Sequence, residues 1–119
     1  EKMFRLAVFN VMAHNRDDHA KNFSFLMNEF GEWKLSPGYD LTFSNGPGGE
    51  QSTMVMGEGR NISRTHLEKL GLEAKLSKAL IDKIIQKTSA ALGNWKSLAK
   101  GYGVKKENIE LIEKRFVIF

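Results

Sequence analysis

The chain has 119 residues, 41% of them hydrophobic and 27% charged, with no cysteine and a net charge of +4. That composition fits one soluble globular domain and excludes a disulfide scaffold, a thiolate metal site and a cysteine nucleophile. Its apolar runs are only a few residues long and no signal-peptide pattern opens it, so the expected setting is the cytoplasm, without membrane contact.

The first predicted element is a helix over residues 2–14, because Met3, Phe4, Ala7, Val8, Val11 and Met12 recur at helical spacing. A polar run from His14 to His19 ends it. Phe23, Phe25 and Met27 alternate with smaller or flanking residues, as do Trp33 and Leu35, and Asn28-Glu29-Phe30-Gly31 lies between them. Residues 23–36 therefore read as a β-hairpin whose aromatics contribute to the core. Ser36-Pro37-Gly38 breaks the second strand before Tyr39-Asp40, and Ser44–Glu50, with three glycines and a proline, is expected to be a mobile loop. A short strand is expected near Thr53–Met56, with Met54 and Met56 in the core.

The remainder is helical. Ser63 or Thr65 can cap a helix that runs to Leu70 and stops at Gly71, and Thr65 and Glu68 have capping-box spacing. Residues 74–92 form an amphipathic helix with Leu80, Ile81, Ile84, Ile85, Thr88, Ala91 and Leu92 on one arc. Two shorter helices follow, over 95–100 and about 105–116, with Trp33 and Trp95 as packing anchors. The predicted class is mainly α with a small β-hairpin (α+β), like the helical lobe of a kinase. Residues 61–119 carry twelve Lys and Arg against six Asp and Glu, whereas residues 1–60 carry six against eight. A solvated lysine face accounts for the basic half, with contact to DNA or an acidic partner as the alternative.

The chemistry concentrates before and after the hairpin. Arg16-Asp17 and Asn22 have the R-D-x-x-x-x-N spacing of a kinase catalytic loop, and the hairpin folds Asp40 back toward Asn22. In phosphoryl transfer one Asp orients and deprotonates the attacking hydroxyl, while an Asn oxygen and a second Asp hold magnesium. Lys21 adds a cation suited to a phosphate oxygen. The ordinary fate of Asp17-Asp18-His19 would be a polar connection that bends the chain. A conventional protein kinase is not matched, because Asn15 replaces its His and no glycine follows Asp40. His14, His19 and His66 lack the spacing of a His-Asn-His nuclease, and Gly46–Gly49 lacks the Gly-Lys-Ser/Thr of a Walker loop.

Taken together, Asn15-Arg16-Asp17-Asp18-His19-Ala20-Lys21-Asn22-Phe23-Ser24-Phe25 and Trp33-Lys34-Leu35-Ser36-Pro37-Gly38-Tyr39-Asp40-Leu41 resemble the C-terminal domain of the HipA family of serine/threonine kinase toxins. The family's D-x-H-x-K-N and L-x-P-x-Y-D motifs occur in order, and the resemblance covers roughly residues 4–70. It implies one domain over 1–119, with the catalytic and metal-binding segment at 14–44, a helical remainder at 63–119, and the N-terminal lobe upstream. Asp17 would be the catalytic base, and Asn22 and Asp40 the magnesium ligands. His19, Ala20, Lys21, Asn22, Tyr39 and Asp40 would line the ATP site. The implied partners are a serine-bearing protein substrate, such as a translation protein, and a helix-turn-helix antitoxin, with DNA contact in the antitoxin complex. The alternative is a non-catalytic helical module that contacts DNA or an antitoxin. Residues 1–119 alone are expected to fold, to lack kinase activity and to bind ATP–magnesium weakly.

Overall fold

A computed structural model describes residues 1–119. Five helices and one two-stranded antiparallel hairpin make up its regular structure. Helix α1 spans Lys2–Met12. Strands β1 (Phe25–Met27) and β2 (Trp33–Leu35) pair in the register Phe25↔Leu35, Leu26↔Lys34 and Met27↔Trp33. Helices α2 (Arg64–Glu73), α3 (Lys78–Gly93), α4 (Trp95–Gly101) and α5 (Lys106–Glu113) follow. The class matches the mainly helical expectation with a small hairpin. No helix is long and apolar enough to cross a membrane.

The core lies where α1, α2 and α3 meet. Phe4, Val8, Val11 and Met12 of α1 pack with Leu67 of α2 and with Ile81, Ile84 and Ile85 of α3. Val55 and Ile62 join them from the long connection before α2. These positions recur every three or four residues, so each helix buries one stripe and leaves its charges in water. Arg64 binds Glu68 on its own helix at 2.8 Å and also pairs with Asp82 of α3, tying the two elements at the surface.

Several boundaries differ from the periodicity. Helix α1 ends at Met12 because His14 takes a left-handed backbone, φ 58°. The capping box uses Ser63 and His66, not Thr65 and Glu68: the Ser63 amide donates to His66 Nδ1 at 3.1 Å. Helix α2 continues through Gly71 rather than stopping there. A Cβ at Gly71 would lie 2.6 Å from Ile81 Cδ1 and 3.1 Å from Phe4 Cζ, so this glycine permits close packing of helices. Lys75, φ 57°, makes the turn instead, and Ser77 caps α3 by accepting from the Leu80 amide at 3.3 Å.

The predicted strand at 53–56 is a single bridge between Val55 and Glu58, with Met54 and Met56 exposed. Trp95 does anchor packing, donating its indole N–H to the Ile109 carbonyl at 3.1 Å and meeting Phe116 edge-on. Trp33 does not. It is 65% exposed, and Phe25, Leu26, Met27 and Phe30 of the hairpin are exposed as well. Alternation marks a strand but cannot say whether anything covers it. The accessible surface is 7987 Å², against about 6,500 Å² for a typical monomer of this mass.

Candidate functional site

The segment after α1 is built by side chains rather than by a ladder. The His14 turn sends the chain back beside residue 44, where the Arg16 amide donates to the Ser44 carbonyl and the Ser44 amide to the His14 carbonyl, each at 3.0 Å. Asn15 is buried and its Nδ2 donates to Asn10 Oδ1 at 3.1 Å. His14 is also buried, stacked on Phe43 and bonded through Nε2 to Asn45 Oδ1 at 3.2 Å. Burial holds the His14 imidazole below its ordinary pKa and neighbouring Arg16 adds to the shift, while the Asn45 bond opposes it.

The adjacent carboxylates Asp17 and Asp18 face different surroundings. Asp18 is only 4% exposed. Its Oδ2 accepts from Gln51 Nε2 and its Oδ1 from the Thr53 amide, each at 3.0 Å. Gln51 Nε2 also donates to the Asn15 carbonyl at 3.1 Å. Such a buried carboxylate needs those donors, because nothing else replaces its lost water. Asp17 is half exposed, with His19 Nε2 4.0 Å from its Oδ1, beyond hydrogen-bond reach.

Asn22 closes the one turn of 3₁₀ helix, Ala20–Asn22. Its amide Nδ2 donates to the Asp17 carbonyl oxygen and to Asp40 Oδ2, each at 3.0 Å. Both neighbours are acceptors, so they fix which way the amide points. Asp40 reaches this position from a left-handed backbone, φ 51°. The preceding Tyr39 donates its hydroxyl proton to the Lys21 carbonyl at 2.9 Å and lies 2.6 Å from Ser24 Oγ. The far end of the hairpin is thereby tied to the 3₁₀ turn. Lys21 and Ala20 are exposed, and Lys21 takes part in no ion pair. His19 Nδ1 is buried without a partner.

The structure therefore brings Asn22, Asp40, Tyr39, Lys21 and the Asp17 main chain together on an open face, with His19 beside Asp17. Five cavities on the molecule are lined by other residues, and none of them by Asp17, Asn22 or Asp40. No cluster of three His, Cys, Asp or Glu side chains could cage a metal by itself. The donor set fits magnesium nonetheless. Both Asn22 amide protons are used on Asp17 and Asp40, which leaves Oδ1 as a free hard oxygen beside the Asp40 carboxylate. Magnesium commonly takes one or two carboxylates and fills its shell with water and substrate phosphates.

Sequence reasoning missed Asp18, Gln51 and Arg16. The signal was present in the Asp-Asp pair, since consecutive residues of extended chain face opposite ways. Arg16 donates to the carbonyls of Gly49 and, at 2.9 Å, of Arg60, and so holds the glycine-rich loop that composition reads as mobile. At Gly46, φ 69°, a Cβ would meet the Glu50 carbonyl at 2.6 Å and Arg16 Cβ at 2.9 Å.

The model of the HipA-like C-terminal domain family matches residues 1–95. The match includes α2 and α3, beyond the stretch of quoted motifs. No curated protein matches the chain.

Proposed function

The chain belongs to the HipA-like C-terminal domain family, and from that premise we propose that it is the catalytic lobe of a serine/threonine protein kinase of the toxin–antitoxin type, acting in the cytoplasm. The family is kinase-related. The observation that carries the reading is the Asn22 amide, bonded at 3.0 Å both to the Asp17 main chain and to the Asp40 carboxylate. It joins Asn22 to Asp40 across eighteen residues of chain, which supports this reading.

In this reading the Asp17 carboxylate accepts the proton of a serine hydroxyl on a protein substrate. The serine oxygen bonds to the γ-phosphorus of ATP as the bond to the β-phosphate oxygen breaks and ADP leaves. Asn22 Oδ1 and Asp40 would hold magnesium, which would neutralise charge on the phosphates. Lys21 offers a further cation to them. His19, with Nδ1 unpartnered, and Tyr39 border the nucleotide. Tyr39 keeps Asp40 in register by anchoring the hairpin to Lys21 and Ser24. A helix-turn-helix antitoxin, in a complex that contacts DNA, completes the proposed set of partners.

The full-length protein, a protein substrate and radiolabelled ATP test this. Asp17→Asn keeps the shape but removes the base, and a positioned general base contributes about 10²- to 10⁴-fold. Transfer is expected to fall by that factor while circular dichroism stays unchanged. Wild-type transfer rates in Asp17→Asn would overturn the assignment. Residues 1–119 alone are expected to transfer nothing and to bind ATP–magnesium at about millimolar or weaker, because no element covers the phosphates on this open face.

A further inference from the structure

A cluster of four cations lies outside that face. A cavity of about 420 Å³ opens between the end of α1, the 59–62 segment and the chain after α5. Arg16, Arg60, Lys114 and Arg115 line it with His14 and Gln51, and no Asp or Glu does. Three acids stand behind the lining: Glu50 Oε1 accepts from Arg60 Nη2 at 2.9 Å, Glu58 Oε1 from the Arg60 and Asn61 amides at 2.7 and 3.0 Å, and Asp18 Oδ2 from Gln51 Nε2 at 3.0 Å. Neither Lys114 nor Arg115 takes part in an ion pair. Two of the five guanidinium protons of Arg16 serve the Gly49 and Arg60 carbonyls, leaving others free to donate.

Lys114 follows the C-terminus of α5, where cations offset the helix dipole, and Arg115 comes next. That accounts for two cations at a helix end. It does not account for a half-buried Arg16 and an Arg60 brought to the same cavity from positions 16 and 60. Arg16 is pushed below its ordinary pKa by burial and then by Arg60 and Arg115. Like charges held together in this way are relieved by an anion that several of them share.

We propose that this cavity is an oxyanion site for a phosphate monoester dianion or inorganic phosphate. Tetrahedral oxygens can accept from guanidinium forks converging from separate segments, whereas one carboxylate satisfies a single fork. Bound there, the anion joins the catalytic segment at Arg16, the 59–62 segment at Arg60 and the C-terminal segment at Arg115. Arg16 directly precedes Asp17, so the site lies one residue from the proposed base. The proposal does not depend on the phosphoryl-transfer reading.

The test titrates inorganic phosphate, a phosphoserine peptide and its unphosphorylated form into the protein. EDTA is present, so that no metal recruits phosphate to Asn22 and Asp40, and chloride sets equal ionic strength. Phosphate is expected to raise the melting temperature above the chloride control. Arg115→Gln, a surface change that leaves the core intact, is expected to weaken binding by about tenfold or more, the usual worth of a charge-assisted contact. Lys78→Gln, a surface cation outside the cavity, leaves it unchanged. Tighter binding of the phosphopeptide than of phosphate assigns a protein-borne ligand; equal binding assigns free phosphate. No excess over chloride, or equal losses in Arg115→Gln and Lys78→Gln, overturns the site.

Discussion

From Ala13 to Ile62 the chain holds its shape with hydrogen bonds from side chains, whereas from Ser63 onward it holds its shape with helices laid on an aliphatic core. The first region has one turn of 3₁₀ helix and two strands of three residues each, yet it carries Asp17, Asn22 and Asp40. Asp18, Gln51, Asn22 and Arg16 replace the missing ladder, each donating or accepting across 5 to 44 positions. The second region uses few such ties, Arg64 to Asp82 and Trp95 to the Ile109 carbonyl, because most of its backbone groups are satisfied within each helix. Hydrogen bonds fix direction, so a network of them sets carboxylates and amides in stated orientations. Apolar contacts fill space and tolerate sliding. A site that depends on orientation therefore sits on the networked region, with the helical core as its base.

The largest expected effect is on the core. Ile84 is 1% exposed at the centre of α3, and Ile84→Ala should cost about 4 kcal/mol, the transfer and cavity terms together. Denaturant midpoints should show a single cooperative loss that takes both regions down, since the first region has no core of its own. Survival of the 13–62 hydrogen bonds in hydrogen exchange after that loss would break the comparison. Next comes Asp18→Ala, at about 2 kcal/mol, because it removes the acceptor of the Thr53 amide and leaves Gln51 Nε2 with only the Asn15 carbonyl. Here the loss should be local. Amides of 50–55 should exchange faster while those of α3 stay protected, and uniform acceleration across the chain would show that the two regions are not separable.

Gly71→Ala sharpens the helical side. A methyl there lies 2.6 Å from Ile81 Cδ1, and Ile81 is 1% exposed with little room to move. Overpacking of this kind costs about 1–3 kcal/mol, against about 1 kcal/mol gained from helix propensity. A net loss of about 1 kcal/mol in urea melts is expected, and a gain in stability would show that α2 and α3 are looser than their contact implies.

What the sequence makes legible follows the same division. Periodicity at Phe4, Val8 and Val11 and at Ile81, Ile84 and Ile85 announces α1 and α3, because burial of a stripe is what their packing uses. Motif spacing places Asn22 and Asp40 near each other, since a hairpin must return the chain. The burial of Asp18 and the tie from Arg16 to Gly49 are not legible, because each depends on a partner more than thirty positions away. The exposed hairpin is a different case: Phe25 and Trp33 alternate as core residues would, and only the surrounding elements decide whether they are covered. Gly71 resembles a stop signal until Ile81 is seen against it.

The smallest expected effect is on pH dependence, and it concerns the turn by which the chain leaves α1 and enters the first region. His14 is buried at the end of α1, and its burial, reinforced by Arg16, keeps its folded-state pKa below the ordinary value near 6.5. The unfolded chain therefore binds more protons than the folded one between those two values. Stability contributed by neutral His14 is complete above about pH 6.5, and it declines as pH falls toward the lowered value. One group can give a slope of no more than about 1.4 kcal/mol per pH unit. His14→Asn removes the titration while keeping a residue that tolerates the left-handed backbone, φ 58°. Urea melts at pH 7.5 and pH 5.5 should show wild type losing stability while His14→Asn changes less. Equal losses in both proteins would place the acid sensitivity elsewhere, and would mean that His14 charges without disturbing the turn that aims Asp17 and Asp18 to opposite surroundings.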